Sequence, residues 1–436
     1  WWSVLPIIFI GCYLQITQPD PVKTLTYGYY DYLHSTVEVN EVDNIVLVNI
    51  DEQSIKQEGQ YPWPRDIVAK YLNGAPVGNL HVLNVIYSEP DRFGKDADLA
   101  NALANQAVVL SSAPTNQLSD GVGTFVGVAT LGEQEHEALY EFPGLLYPID
   151  ALSSWAFGVG ATVSIPDQPT GVVRKAPLVI RANGIQYPSL ALDTTRVFAG
   201  EPSYQMKVGS NGVEWVRIGR QPPITTNSFS EVNIAFWNKF RQISILDLPK
   251  EKQEGTIYIL GITAEGYANP VPTPMGAKYP HEVQGHLIHT LTSGVQIQQP
   301  DWSGVASLGL VLISGLGILA LVYIAPTILS AIGSLILLSG VIGGSYWLWS
   351  SDFVFLDVSL AVLISMLVFA QSSFNKYYTT YKLKEQIKKQ FGTYLSPDMV
   401  KMLQDDPSLL KLGGERKEMS FMFMDICGFT PISEHY

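Results

Sequence analysis

Cysteine and positive charge are both scarce in this sequence. Its 436 residues contain only two cysteines, Cys12 and Cys427, so a framework of several disulfides is excluded. Lys and Arg number 27 against 40 Asp and Glu, which gives a net charge of −13. Most of the excess acid lies in residues 18–302, where 30 acidic residues accompany 18 basic ones. This balance argues against nucleic-acid binding and against electrostatic binding to anionic lipid.

Charge is absent altogether from Ser303 to Ser351. One helix of that length would be about 73 Å long, more than twice the ~30 Å hydrocarbon core of a bilayer. Pro326 marks the expected turn, which predicts transmembrane helices at 303–325 and 327–349. A further apolar run predicts a third span at 353–373. Core helices of a soluble protein are the alternative, but three successive apolar runs of this length disfavour it.

The first residues are also apolar. Residues 1–17 are largely uncharged and predict most of another transmembrane helix. A signal peptide is the alternative, although no cleavage site is evident. Because the chain begins with Trp1 instead of Met and ends soon after its last motif, we expect residues to be missing at both ends.

Lysine distribution predicts which side of the membrane each segment faces. Five lysines and one glutamate lie between residues 374 and 395, and positive residues beside a span mark the cytoplasmic side. Three closing spans then place residues 18–302 outside the cell (inner) membrane, in the periplasm or the extracellular space. The two cysteines would be too far apart to pair, so we expect the outer segment to fold without a disulfide.

Residues 18–302 alternate strand and helix patterns, which predicts an α/β domain with one main sheet. The largely buried strands are predicted at 44–50, 81–87, 107–111 and 256–263. Shorter strands are predicted at 158–165 and 176–181, and helices at 64–72, 96–106, 188–198 and 282–292.

Dispersed motifs in this segment resemble the second type of CHASE sensor domain, which is found outside bacterial membranes ahead of cyclases and kinases. The matching motifs are Ile50-Asp51-Glu52-Gln53-Ser54, Tyr61-Pro62-Trp63-Pro64-Arg65, Ser88-Glu89-Pro90-Asp91-Arg92, Pro166-Asp167, Val173-Arg174-Lys175 and Val283-Gln284-Gly285-His286. The resemblance implies a sensor for an extracellular ligand that the sequence does not identify.

Charged residues that follow the predicted strands are the candidate ligand-binding residues. They are Asp51, Arg65, Glu89, Asp91 and Arg92. Such residues could converge at strand ends, where open α/β sheets bind ligands. Alternatively, they form paired charges that fix loops.

Three histidines near residue 285 raise the question of a zinc site. His281, His286 and His289 do not have the His-Glu-x-x-His spacing, since His286 is five residues from His281 and lies on a different face of a helix. We therefore predict a helix packed on the sheet.

The last residues carry the clearest chemical motif. The apolar run 419–424 predicts a short buried strand that ends at Asp425 and is followed by a Gly-Phe-Thr turn. A carboxylate binds a hard cation through oxygen, and free backbone N–H groups at a helix start bind phosphate. The arrangement suits a metal-bound nucleoside triphosphate. A core strand that ends in an ordinary acidic turn is the alternative.

The stretch 421–430 resembles the opening of the class III nucleotidyl cyclase domain, a ferredoxin-like fold, so residues 411–436 would be its N-terminal fragment. The resemblance implies that Asp425 binds two divalent metal ions, Mg²⁺ or Mn²⁺, assisted by the backbone carbonyl of Ile426. The residues implied to lie near the triphosphate of ATP are Gly428, Phe429 and Thr430. Most catalytic residues would follow the end of this chain, so we expect the fragment alone to be inactive.

Residues 374–410 predict cytoplasmic linker helices. An apolar residue recurs at every fourth position from Leu383 to Leu395, which favours a short parallel coiled coil or a lone amphipathic helix. The sequence Ser396-Pro397-Asp398 predicts the start of a second helix. Because class III catalytic sites resemble one another in forming between two protomers, a homodimer is implied.

These patterns predict a multi-domain α/β protein with transmembrane helices: an extracellular α/β sensor, a lipid-embedded helical bundle and the start of a cyclase domain. The implied function is a membrane receptor adenylate cyclase that converts ATP to cyclic AMP and pyrophosphate. The alternatives are a guanylate cyclase of the same architecture, a receptor with an inactive cyclase-like domain, and a membrane scaffold.

Overall fold

The computed structural model describes residues 3–118, 126, 128–132, 138–247, 255–391, 401, 405 and 418–424. The chain divides into two compact units, Trp1–Ala370 and Gln371–Tyr436. The helices are α1 (Leu5–Thr17), α2 (Asp20–Ser35), α3 (Glu52–Glu58), α4 (Arg65–Gly74), α5 (Asp96–Asn105), α6 (Asp150–Ser153), α7 (Leu190–Phe198), α8 (Pro280–Ser293), α9 (Trp302–Ile324), α10 (Thr327–Asp352) and α11 (Ser359–Phe391). The strands are β1 (Asn40–Ile50), β2 (Leu80–Ile86), β3 (Ala107–Thr115), β4 (Val128–Gly132), β5 (Glu141–Phe142), β6 (Gly144–Leu146), β7 (Gly158–Ala161), β8 (Lys175–Pro177), β9 (Val179–Ala182), β10 (Ile185–Pro188), β11 (Tyr204–Gly209), β12 (Gly212–Ile218), β13 (Ile224–Thr225), β14 (Glu231–Asn233), β15 (Asn238–Ser244), β16 (Ile257–Ile262), β17 (Val271–Thr273) and β18 (Gly276–Lys278).

A seven-stranded sheet forms the centre of the α/β domain. Its order is β15-β1-β16-β2-β3-β6, with β7 also paired to β3, and every pair except β3–β6 is parallel. Parallel strands are buried on both faces and therefore carry near-continuous apolar runs. In β1, Ile45 and Leu47 face a core shared with α7 and α8, whereas Val46, Val48 and Ile50 face a second core shared with α4 and α5. The result is a three-layered α/β domain.

The long buried elements agree with the sequence prediction. The strands predicted at 44–50, 81–87, 107–111 and 256–263 are β1, β2, β3 and β16, which are neighbours in the main sheet. The helices predicted at 64–72, 96–106 and 282–292 are α4, α5 and α8. Each of these elements packs into a main core, so the strands show continuous apolar runs and the helices show an apolar face in the sequence.

The helix predicted at 188–198 begins later, at Leu190. Ser189 caps it by accepting a hydrogen bond from the Leu192 N–H at 3.2 Å. Pro188 belongs to β10, where it pairs with Val179. The difference arises because a capping residue has an extended backbone and is not itself helical.

The prediction of one main sheet is incomplete. A three-stranded, a four-stranded and two two-stranded sheets are also present. The strand predicted at 176–181 divides at Leu178 into β8 and β9, which pair in different small sheets, and the strand predicted at 158–165 ends at Ala161. These strands are too short to show a period of two in the sequence.

Apolar helices pack on one another in the first unit. Side chains of α1, α9 and α11 share one core, and residues of α10 pack against it. Ser365 donates a hydrogen bond to the Ser314 hydroxyl at 2.8 Å, which joins α11 to α9. A Cβ added at Gly11 would lie 2.7 Å from Ile364, and one at Gly315 would lie 3.2 Å from Ile8. Small residues therefore allow these helices to approach closely.

Within the described residues, α9 and α10 are long and apolar enough to cross a membrane, and α1 is a shorter apolar helix. The most apolar window of α10 is only 11% buried. The core helix of a soluble protein would be mostly buried. The structure is therefore consistent with a membrane protein.

The apolar segment predicted at 353–373 becomes helical only at Ser359, the start of α11, and α11 is not among the described helices that are long and apolar enough to cross a membrane. Phe353 has a φ of 50° and ends α10. The Gln298 N–H donates to the Phe353 carbonyl at 3.0 Å, and the Phe355 N–H donates to the Gln298 carbonyl at 2.9 Å. The Asp357 carboxylate then accepts a hydrogen bond from the Ser359 N–H at 2.9 Å. Residues 353–358 thus form a connection that is tied to the α/β domain.

In the second unit, α11 remains helical to Phe391, which covers most of the predicted linker helix. Residues 419–424 form no strand, and Phe423 is 95% exposed. The prediction of a buried strand is wrong here because no strand in the described part of the chain pairs with this run. The predicted residues that lie outside the described part are Ser396, Pro397, Asp398, Asp425, Ile426, Gly428, Phe429 and Thr430.

Candidate functional site

The predicted sensor residues lie beyond the carboxyl ends of the parallel strands. Asp51 follows β1 and precedes α3. Its carboxylate accepts hydrogen bonds from the Ser54 N–H at 2.9 Å and from the Ser244 hydroxyl at 3.1 Å. Asp51 is therefore a helix cap that also ties the end of β15 to α3.

Arg65, Glu89 and Asp91 come together around the start of α4. The Arg65 side chain is 8% exposed, forms an ion pair with Asp96 and donates to the Glu89 carbonyl. Its guanidinium lies 5.1 Å from the centre of the Tyr87 ring. Burial lowers the pKa of Arg65. The guanidinium is therefore already engaged by groups of the protein.

Asp91 and Arg92 hold the loop that follows β2. The Asp91 carboxylate accepts a hydrogen bond from the Lys95 N–H at 3.0 Å, and the Asp91 N–H donates to the Asp96 carboxylate at 3.0 Å. Arg92 donates to the Pro62 carbonyl at 2.9 Å. These contacts fix loops, as paired charges would, and a ligand-binding role for these residues stays a prediction.

His281 and His286 of α8 are buried against the α/β domain. His281 lies 2.8 Å from the Asn49 amide oxygen and donates to it, and the His286 ring lies 5.2 and 4.8 Å from the ring centres of Phe236 and Phe240. Burial lowers the pKa of His281 and of His286 to about 4. Across the described part of the chain, no three His, Cys, Asp or Glu side chains are grouped to hold a metal ion.

A larger buried network, absent from the sequence prediction, joins the α/β domain to α2. The Arg174 side chain, just before β8, is 4% exposed. Its Nε and Nη2 each donate at 2.8 Å to one carboxylate oxygen of Asp31 on α2. Its Nη1 donates to the Thr170 hydroxyl at 2.9 Å and to Asp167 at 3.4 Å, and its guanidinium lies 4.4 Å from the Tyr27 ring centre. A bidentate pair fixes geometry as well as charge, so α2 is held in one orientation.

The charges of this network depend on one another. Burial disfavours the Arg174 cation, but the Asp31 and Asp167 carboxylates outweigh that effect and raise the pKa of Arg174. Burial raises the pKa of Asp167, against the opposing effect of Lys175 and Arg174. Lys175 forms a further ion pair with buried Glu231 at 2.5 Å. Removal of either cation would therefore leave a buried carboxylate without full compensation.

An aromatic cluster joins α2 to the end of α10 and to the connection that follows it. The ring centres of Tyr30 and His34 on α2 lie 5.9 and 5.2 Å from that of Trp349. Trp237 of the α/β domain stacks on Phe353 with ring centres 5.1 Å apart. Burial lowers the pKa of His34 to about 4.

Hydrogen bonds reinforce the same contact. Thr26 on α2 donates to the Asp357 carboxylate at 2.7 Å, and the Tyr29 hydroxyl donates to Ser345 on α10 at 3.0 Å. We call α2, the connection 353–358 and the α/β residues that contact them the helix junction. It connects the α/β domain to the apolar helices by side-chain contacts in addition to the chain itself.

One known family matches the segment that contains these features. The family model described as the CHASE2 domain matches residues 6–324, well over half of the chain. The chain belongs to the CHASE2 domain family. No curated protein and no solved structure matches it. The CHASE2 sensor domain predicted from the sequence is confirmed, and it indicates a receptor-type signalling protein.

The CHASE2 match starts within α1 and ends with α9, so it includes α2, which the sequence prediction missed. Val22, Tyr30 and Leu33 are buried on α2. They are separated by eight and three residues, which places them on one helix face. Together with Pro21 in the first turn, this spacing is the signal that would have identified α2.

Proposed function

We propose that this CHASE2 protein is the sensor and membrane part of a receptor adenylate cyclase. The observation that carries the membrane part of the proposal is the attachment of the connection 353–358 to the α/β domain. Hydrogen bonds join Gln298 to Phe353 and Phe355, and Trp237 stacks on Phe353. Because the connection returns to the domain, α9 leads away from the sensor, α10 leads back and α11 leads away again. Three crossings would carry a signal to the far side of a membrane.

Exposed apolar side chains support contact between these helices and lipid. Ile313 and Ile324 on α9 are 72% and 83% exposed, and Ile328 and Ile336 on α10 are 75% and 66% exposed. Each Å² of such surface in water costs about 25 cal/mol relative to an apolar environment. The lysines that follow the apolar part of α11 in sequence suit the cytoplasmic side.

The proposed effector is a class III cyclase domain that acts as a homodimer on ATP. Its support is the sequence motif 421–430, and the proposal gives Asp425 and the Ile426 carbonyl the role of holding two divalent ions, Mg²⁺ or Mn²⁺. Such ions lower the pKa of a bound hydroxyl and neutralise developing charge. In the proposed reaction the ribose 3′-oxygen attacks the α-phosphorus, pyrophosphate leaves and cyclic AMP forms.

Control of the effector would pass through the helix junction. A change in the CHASE2 domain would move α2 through the Arg174–Asp31 contact and the connection 353–358 through Trp237. Packed helices that shift by about 1–2 Å are a common way to switch a protein between two states. Since α11 is one helix from Ser359 to Phe391, a shift at its start would be passed along it.

Topology can be tested with single cysteines in full-length protein that lacks Cys12 and Cys427. Val77 is 66% exposed in the α/β domain and Lys388 is exposed on α11. We expect a membrane-impermeant maleimide to label Val77→Cys in intact cells, and Lys388→Cys only after permeabilisation. Labelling of Lys388→Cys in intact cells would overturn the three crossings.

The cyclase assignment is tested by Asp425→Ala in the full-length protein, with Glu418→Ala as the control. Loss of a metal ligand should lower cyclic AMP formation roughly 100-fold or more, whereas exposed Glu418 should be dispensable. Equal activities in the two variants would remove the role of Asp425. Cyclic GMP from GTP would indicate the guanylate cyclase alternative, and nucleotide binding without product would indicate an inactive domain.

A further inference from the structure

An apolar groove lies between α2, the second half of α10 and the first turns of α11. Its volume is about 520 Å³, which falls within the roughly 300–1,000 Å³ of small-molecule sites. Its α2 wall is formed by Pro21, Thr24, Leu25, Gly28 and Tyr29, and its opposite wall includes Ile342 and Val362. The α2 residues are separated by three, one, three and one positions, so they share one side of the helix.

Gly28 borders the open space of the groove. A Cβ built at this position would meet no atom within 4 Å. The glycines that let the apolar helices touch are different, since a Cβ at Gly11 would lie 2.7 Å from Ile364. Gly28 therefore does not serve to bring two helices close together, and the space beside it stays open.

The lining of the groove favours an apolar occupant. The Thr24 hydroxyl donates to the Asp20 carbonyl at 2.8 Å, and the Ser359 hydroxyl donates to the Asp357 carboxylate at 2.6 Å. The third lining hydroxyl, that of Tyr29, donates to the Ser345 hydroxyl at 3.0 Å, so the hydrogens of all three are already used within the protein. The other wall residues of α2, α10 and α11 present mainly carbon, so the ligand chemistry that fits is an alkyl chain.

The groove is continuous with exposed apolar surface. Ile342 and Tyr346 on α10 are 41% and 42% exposed, and Leu363 and Met366 on α11 are 45% and 53% exposed. The proposed function places this surface in lipid, and the present inference rests on that placement. We propose that the groove binds one acyl chain of a bilayer lipid, from the leaflet on the sensor side. A bilayer lipid is the occupant because the groove opens onto the surface that lipid would cover.

A chain in this groove would lie within the helix junction. The same α2 helix donates from Thr26 to Asp357 at 2.7 Å and binds Arg174 through Asp31. The occupant would therefore contact both the helix held by the CHASE2 domain and the first turns of α11. Lipid composition would then act on the same helix junction as the sensor does.

The test uses full-length protein in vesicles of phosphatidylcholine and phosphatidylglycerol that contain a phospholipid with a diazirine on its acyl chain. After photolysis, mass spectrometry of peptides measures the label on residues 20–35. Gly28→Trp fills the groove, whereas Gly28→Ala removes the same glycine and leaves most of the space. We expect α2 labelling to fall at least fivefold in Gly28→Trp and to stay within twofold of wild type in Gly28→Ala.

Labelling around Ile328 on exposed α10 is the internal reference and should be equal in all three proteins. Label at Ile328 without label on α2 would overturn the groove proposal and leave the membrane placement intact. Equal α2 labelling in Gly28→Trp and wild type would also overturn it. Label at neither place would overturn the membrane placement and the groove proposal with it.

Discussion

Replacement of Arg174 by Met should destabilise the CHASE2 domain strongly. Met retains part of the apolar stem, but Asp167, which is 5% exposed, would keep the Lys175 ammonium at 4.0 Å as its one cationic partner among the described residues. Removal of one partner of a buried ion pair costs about 3–5 kcal/mol, because the other charge stays buried and uncompensated. Asp31 is 29% exposed and would regain some hydration. We therefore expect the lower part of that range, about 3 kcal/mol.

The matched control is an ion pair of similar length at the surface. Lys239 and Glu41 are 2.9 Å apart, and their side chains are 69% and 76% exposed. Exposed pairs contribute about 0–1 kcal/mol, so Lys239→Met should have little effect. Urea unfolding in detergent, followed by tryptophan fluorescence, gives both values from the shift in midpoint at constant slope.

Equal midpoints for Arg174→Met and Lys239→Met would refute this reasoning about burial. Arg174→Lys keeps the charge and loses the bidentate geometry, so it should fall between wild type and Arg174→Met. A double-mutant cycle with Asp31→Asn isolates the contact to α2. We expect a coupling free energy of about 1–3 kcal/mol. A coupling near zero would show that this pair does not hold α2.

Three further predictions follow from burial. The histidines whose pKa burial lowers to about 4 are His34, His81, His281 and His286. In the unfolded chain these histidines bind protons near pH 6.5. Their contribution to the free energy of unfolding is therefore full above that pH and falls by about 1.4 kcal/mol per histidine for each pH unit, down to about pH 4. A urea midpoint that is equal at pH 7 and pH 5 would contradict this. A Cβ at Gly160 would lie 2.4 Å from the Leu190 Cα, so Gly160→Ala should lower the free energy of unfolding by about 1–3 kcal/mol. Gly28→Ala meets open space, so in the same unfolding assay it should be neutral or stabilising by up to about 1 kcal/mol. Trp237→Ala removes the stacking on Phe353 and should cost about 3–5 kcal/mol, and an unchanged urea midpoint would exclude Trp237 from the helix junction.

The main sheet was predictable because its information is local. The run from Ile45 to Ile50 is apolar on both faces of β1, and the run from Ile257 to Ile262 is similar in β16. A strand that is buried on both faces needs no knowledge of its partner to be recognised. The short strands beside it lack this property, since their positions are set by the sheets in which they pair.

The helix junction was not predictable because its contacts join distant positions. Asp31 and Arg174 are 143 residues apart in the sequence. Neither residue shows by itself that the other will be its partner, and a single charged residue on an amphipathic helix is ordinarily solvated. The same limit applies to Arg65, which the motif identified, while its ion-pair partner Asp96 at the start of α5 was not identified.

The two kinds of contact in the helix junction have different consequences for signalling. The Arg174–Asp31 pair is bidentate and its guanidinium is buried, so its geometry is fixed and α2 should move with the α/β domain as one body. The contact of Trp237 with Phe353 is apolar and non-directional, so it tolerates small displacements more readily than paired charges do. Hydrogen bonds from Gln298 to Phe353 and Phe355, and from Thr26 on α2 to Asp357, also hold the connection 353–358, so we expect the domain, α2 and the connection to move together. Since α11 starts directly after that connection, a displacement of the helix junction would enter the helix at Ser359.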